Sequence, residues 1–194
     1  ARALSFVMEK RDEGAVPAAA IVLDQRGGAI ASRRRGGVPR PGKMEGDLWR
    51  RAVAAMRRGT SAGDFHIEAG VLDETASLFL AAPSRSAKDY WGVILLAEEL
   101  LRIGGDELGP REAVFLLSEP DQNVLYARRG GKFLHEAVGR GFDKSLSLLL
   151  GILACCDPAD FNTVHEGDRA MVQLELSGGT RKLRLVRVAD RRAS

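Results

Sequence analysis

Apolar residues along this chain come in short runs whose period shifts between two and about three and a half, and the shifts mark out the elements. "ALSFVMEK" (3–10) and "AAAIVLDQ" (18–25) carry β-branched and aromatic residues between "RDEG" and "RGG", the pattern of strands bounded by turns. "GAIASRRR" (28–35) is expected to pair with the second of these, because Gly27 and Gly28 permit the backbone angles of a tight hairpin. In "GDLWRRAVAAMRRG" (46–59) Leu48, Val53 and Met56 form an apolar stripe flanked by Trp49, which predicts a short amphipathic helix stopped by Gly59.

Strand patterns then follow in "DFHIEAG" (64–70) and "ASLFLAAP" (76–83). The run from Tyr90 is too uniformly apolar for one helical stripe, so it is read as a strand "YWGVILL" and a helix "AEELLRIGG", with Gly104 and Gly105 as its cap. "AVFLLSE", "VLYARR" and "KFLHEAV" repeat the strand pattern. Gly151 argues against one unbroken helix through "KSLSLLLGILACC". "DPADF" starts a helix with Asp157 as cap and Pro158 in its first position, and "MVQLEL" and "KLRLVRV" around "SGGT" predict a hairpin. Strands then a helix, twice over, predict an α+β fold built from an internal repeat. With 194 residues, one domain spanning 1–194 is expected, carrying a basic insert at about 34–60.

Composition narrows the classes. No apolar run reaches the length of a membrane-crossing helix, and "ARALSFVMEKR" lacks the apolar core of a secretory signal, so a soluble mature protein with no membrane partner is expected. Cys155 and Cys156 are adjacent and poorly placed to bridge each other. His66, His135 and His165 lie at no ligand-like spacing from them, so neither metal nor cofactor is expected.

Charge is segregated along the chain. The net charge of +3 conceals about +8 in residues 25–60, about −8 in 61–127 and about +4 from Arg128 onward. Arginine outnumbers lysine 23 to 6, which matters because a planar guanidinium donates two parallel hydrogen bonds to a phosphate and stacks on bases.

Several segments in order resemble the Whirly fold, shared by plant single-stranded-DNA-binding proteins and kinetoplastid mitochondrial guide-RNA-binding proteins: "LFLAAP" (78–83), "KDYWGVILL" (88–96), "LGPREAVFLL" (108–117) and "DPADF" (157–161). Each is similar to a strand–turn or strand–helix junction of that fold. The plant proteins' lysine-rich opening motif has only Arg2 as a counterpart, and a chain of this size and arginine content is more similar to the kinetoplastid branch. That resemblance implies antiparallel sheets packed on helices, a hetero-oligomer with a related chain, a mitochondrial location, and guide-RNA binding and annealing in RNA editing.

On that reading the arginines contact phosphates with little dependence on sequence, and affinity falls steeply with salt. The expected contacts are Arg33, Arg34, Arg35, Lys43, Arg128, Arg129, Lys132 and Arg140, converging on one electropositive face, with no catalytic residue. Phe65, Tyr90, Trp91, Tyr126 and Phe133 are candidates to stack on unpaired bases, against the plainer expectation that most pack in the core. Arg-Gly-Gly triplets at Arg26, Arg35 and Arg129 read as turns. Two other classes stay open: a small α/β enzyme or cofactor-binding protein, for which His66 with Glu68 or His135 with Glu136 would supply acid–base groups, and a non-catalytic assembly subunit held by its acidic middle segment.

Overall fold

The computed structural model describes residues 17–36, 41–59, 65–72, 75–84, 88–101, 112–119, 121–129, 132–145, 170–176 and 179–189. In chain order these form β1 (Ala19–Leu23), β2 (Ala29–Arg34), α1 (Lys43–Arg57), β3 (His66–Leu72), β4 (Thr75–Pro83), β5 (Tyr90–Leu96), α2 (Ala97–Leu101), β6 (Glu112–Ser118), β7 (Val124–Arg129), β8 (Lys132–Phe133), a 3-10 turn (His135–Ala137), β9 (Ala170–Leu176) and β10 (Gly179–Ala189). The fold is α+β with two antiparallel five-stranded sheets, ordered β2-β1-β5-β4-β3 and β8-β7-β6-β10-β9. Contacts gather the chain into two compact units, Ala1–Ile103 with Gln173–Arg181, and Gly104–Val172 with Lys182–Ser194.

In the first unit the β1–β2 turn explains the expected hairpin. Asp24 accepts backbone N–H bonds on Oδ1 from Arg26 at 2.7 Å and Gly28 at 2.8 Å, and Gly27 at φ 81° closes the turn. A side chain at Gly27 would also meet the Arg50 backbone of α1 at 2.7 Å, so this turn lies directly on the helix.

Helix α1 buries Leu48, Trp49, Ala52 and Val53, four positions on one side of the helix. Trp49 is central to that face rather than flanking it: its ring meets Phe79 edge-on at 5.1 Å and lies over Gly92, where a Cβ would come within 3.0 Å. Ile21, Leu23, Phe79, Ala81 and Ile94 complete the core beneath the helix. Gly59, at φ 65°, follows the helix in the left-handed conformation that ends it, as the sequence predicts. The division of 90–101 into strand and helix is also as expected, although the described helix stops at Leu101.

In the second unit Phe115, Leu117, Val124, Ala127 and Val186 form the core, and Phe142 packs edge-on against Phe115 at 5.2 Å. The β6–β7 turn closes through Gln122, whose N–H bonds the Ser118 carbonyl at 2.8 Å, and Gln122 takes φ 51°. Asp121 organises it by accepting from the Ser118 hydroxyl and from Asn123 Nδ2 at 2.7 Å.

One expected strand is corrected. "KFLHEAV" pairs only at Lys132 and Phe133, then bends into the 3-10 turn. Gly139, at φ 79°, brings the chain back so that its N–H bonds the Val124 carbonyl at 2.8 Å, which ends the ladder and buries Ala137. The strand "ALSFVMEK", the cap at Gly104 and Gly105, "DPADF", both cysteines and most of "KSLSLLLGILACC" lie outside the described residues.

Candidate nucleic-acid interface

Strand geometry decides where the expected arginines point, because successive side chains project to opposite faces. On β2, Ala19 faces Arg34 and Ala20 faces Arg33 across the ladder. Arg34 therefore projects to the α1 side. There it pairs with Glu45, and the same Glu45 oxygen accepts from Trp49 Nε1 at 3.1 Å. The two charged side chains are 14% and 2% exposed, and among the described residues Glu45 Oε2 has no hydrogen-bond partner. This ion pair is a buried strut between β2 and the first turn of α1, and the fold takes up Arg34's charge.

Arg33 and Arg35 share the face turned away from α1. Arg35 pairs with Glu99 of α2, and both side chains are partly exposed. Arg33 is exposed. The same face carries Trp91, since Val22 faces Ala31 on one side and Trp91 on the other, while Ala20 faces Arg33 and Val93. Trp91 is 40% exposed although it sits in a central strand. Among the described residues Val22, Ala20, Ala31 and Val93 stand between the indole and Arg33, and each is shorter than either. Two strands across and two residues along put their Cα atoms about 12 Å apart.

Lys43 opens α1 on its exposed side. Arg50, Arg51, Arg57 and Arg58 stand exposed on the same side. Positions 43, 47, 50, 51, 54, 57 and 58 share one outward arc of α1, opposite the buried face. The spacing of three and four residues was the signal for it in the sequence. Arg50 bonds Asp47 and holds that carboxyl below the ordinary aspartate range. Arg51, 62% exposed, lies 3.6 Å from Glu68, and Arg57 donates to the Gln25 carbonyl at 3.3 Å.

In the second unit the same alternation separates neighbours. Arg129 faces Lys132 across the β7–β8 ladder, while Arg128 faces Phe133 on the opposite face. Arg140 is exposed on the segment that returns to Val124. Consecutive arginines are thus divided between faces within each unit, Arg33 and Arg35 from Arg34, and Arg128 from Arg129.

Of the aromatic candidates, Phe65 and Tyr126 are buried, Tyr90 packs at the edge of the first core, and Phe133 lies between Tyr126 at 5.3 Å and His135 at 4.3 Å. The remaining one, Trp91, is the only exposed tryptophan, because the chain has two and Trp49 is 1% exposed. The acid–base candidates resolve into a His66 Nε2 to Glu68 Oε1 contact of 3.0 Å, with Arg51 on the other carboxylate oxygen. Among the described residues no group of three or more His, Cys, Asp or Glu could hold a metal, and no helix is long and apolar enough to cross a membrane.

No family model matches this chain, and no curated protein matches it. Among solved structures it is similar to the ligand-binding domain of the Pseudomonas fluorescens chemoreceptor CtaA in complex with L-serine, at 12% identity and a TM-score of 0.43, over 89% of this chain and 73% of that one. A likeness that distant carries neither ligand nor role across.

Proposed function

We propose that this chain is a non-catalytic, single-stranded RNA-binding protein that holds its ligand chiefly by the phosphate backbone. The observation that carries the reading is the open part of the first sheet, where an exposed tryptophan and an exposed arginine stand on one face with shorter side chains between them. Arg33 supplies a phosphate contact and Trp91 a surface for one base, a span of a nucleotide or two. Lys43, and in the second unit Arg129, Lys132 and Arg140, supply further cations; Arg34 contributes as a strut.

The finer reading rests on the segments that resemble the Whirly fold. It makes the chain a Whirly-like subunit that binds guide RNA and promotes annealing in mitochondrial RNA editing, assembled with a related chain. Holding RNA by its phosphates, with one base stacked and the rest free, suits a protein that presents bases for pairing.

Filter retention of several unrelated single-stranded RNAs at low and high salt tests it. All should be retained at low salt and lost as salt rises, because each phosphate contact releases counterions. Retention of none, or retention indifferent to salt, overturns the reading.

A further inference from the structure

We infer that the outward face of α1 is a second phosphate track for the same single-stranded RNA, reached over the open edge of β2. This rests on the RNA-binding reading and deepens it by naming a surface that Arg33 and Trp91 do not include.

The face is an arc of α1 that carries Lys43, Arg50, Arg51, Arg57 and Arg58, about 22 Å from end to end. Ala54 is its one apolar residue and Asp47 its one acid. Asp47 is engaged by Arg50, and Arg51 is more than half exposed beside Glu68, so the arc stays cationic after its pairs are formed. Arg26 adds to it from the β1–β2 turn, which packs on α1 at Arg50.

Helix stability does not account for this pattern. Arg57 and Arg58 at the C-terminal end are favoured by the helix dipole, but Lys43 in the first turn opposes it, and Arg50 and Arg51 gain nothing from it. A row of like charges costs energy unless an anion relieves it. Met44, 59% exposed, borders the arc at its start, but a single apolar side chain is ill suited to inserting between lipids or to burying against a protein core. A flexible polyanion that needs only phosphate contacts fits it best.

Continuity with the first surface comes from β2. It ends its sheet among the described residues, and Ala29, Ile30, Ala31, Ser32 and Arg33 are all exposed. A strand lying on Arg33 and Trp91 would cross that edge over these exposed residues to reach Arg26 and Arg50.

The test is the salt dependence of binding for oligouridylates of 8 and 20 nucleotides, with wild-type protein and the triple variant R50Q/R57Q/R58Q. Removing exposed charges leaves the core intact, which matching circular dichroism and melting temperature verify. For the 20-mer, the slope of log affinity against log salt should become shallower by about 2, since each lost contact removes about 0.7. The 8-mer, held by Arg33 and Trp91, should change little. An unchanged slope for the 20-mer in a wild type that binds RNA overturns this inference alone. So does a variant that keeps RNA but loses polyglutamate or anionic vesicles, because the arc then serves an acidic protein or a lipid surface. A wild type that retains neither oligonucleotide overturns the RNA reading itself.

Discussion

The two sheets share a connection plan and differ in how they close it. In the first, β1 forms a hairpin with β2 and pairs on its other side with β5, which pairs with β4; in the second, β6 stands between β7 and β10 in the same way, and β10 pairs with β9. Each sheet adds a fifth strand, β3 beside β4 in one and β8 beside β7 in the other. The first hairpin turns through a glycine pressed onto helix backbone, the second through Gln122 in a left-handed conformation held by Asp121. One topology thus accepts two turn chemistries, provided an aspartate satisfies the turn's donors.

Four substitutions sharpen that contrast, in falling order of effect. Trp49→Ala should cost about 3–5 kcal/mol, because it removes the ring that fills the space between α1, Phe79 and Gly92, and a urea melt reads the loss. Glu45→Ala should cost about 3 kcal/mol by removing the buried acceptor that Arg34 and Trp49 Nε1 share; a cost near zero would show that the strut is dispensable. Gly27→Ala should cost about 2 kcal/mol or more, since φ 81° and the Arg50 backbone both oppose a side chain. Gln122→Gly at the equivalent turn should act in the opposite sense, stabilising by about 0.5 kcal/mol through relief of the left-handed strain. Equal signs for the last two would break the comparison.

A pH effect belongs to the first turn. Backbone N–H bonds from Gly28, then Arg26, hold the Asp24 carboxyl below the ordinary aspartate range. A depressed folded value means that this contribution is present above the unfolded value and is lost as pH falls through the folded one. The stability gap between wild type and Asp24→Ala should therefore narrow as pH drops from neutral to about 2, as read by urea midpoints.

Where period, turn chemistry and burial agreed, the sequence was readable: the hairpin at Gly27 and Gly28, the strand–helix division after Leu96 and the α1 stop at Gly59 all follow from local rules. "KFLHEAV" misled because its alternation suggests a ladder, while the bonds that end it come from Val124, far enough along the chain to be invisible locally. The arginine runs misled in another way. Composition counts cations, but a strand sends consecutive ones to opposite faces, and whether an acid such as Glu45 waits there depends on packing. Trp91 stood among five equal aromatic candidates until register and burial left it exposed.

That exposure also provides the most direct test. Trp49 is buried, so a ligand on the first sheet should change tryptophan emission through Trp91 alone. Titration with an oligouridylate at low salt should quench the emission, the quench should vanish in Trp91→Phe and fade at high salt, and inorganic polyphosphate should bind without it. RNA that binds and leaves the emission of Trp91 untouched would contradict the account.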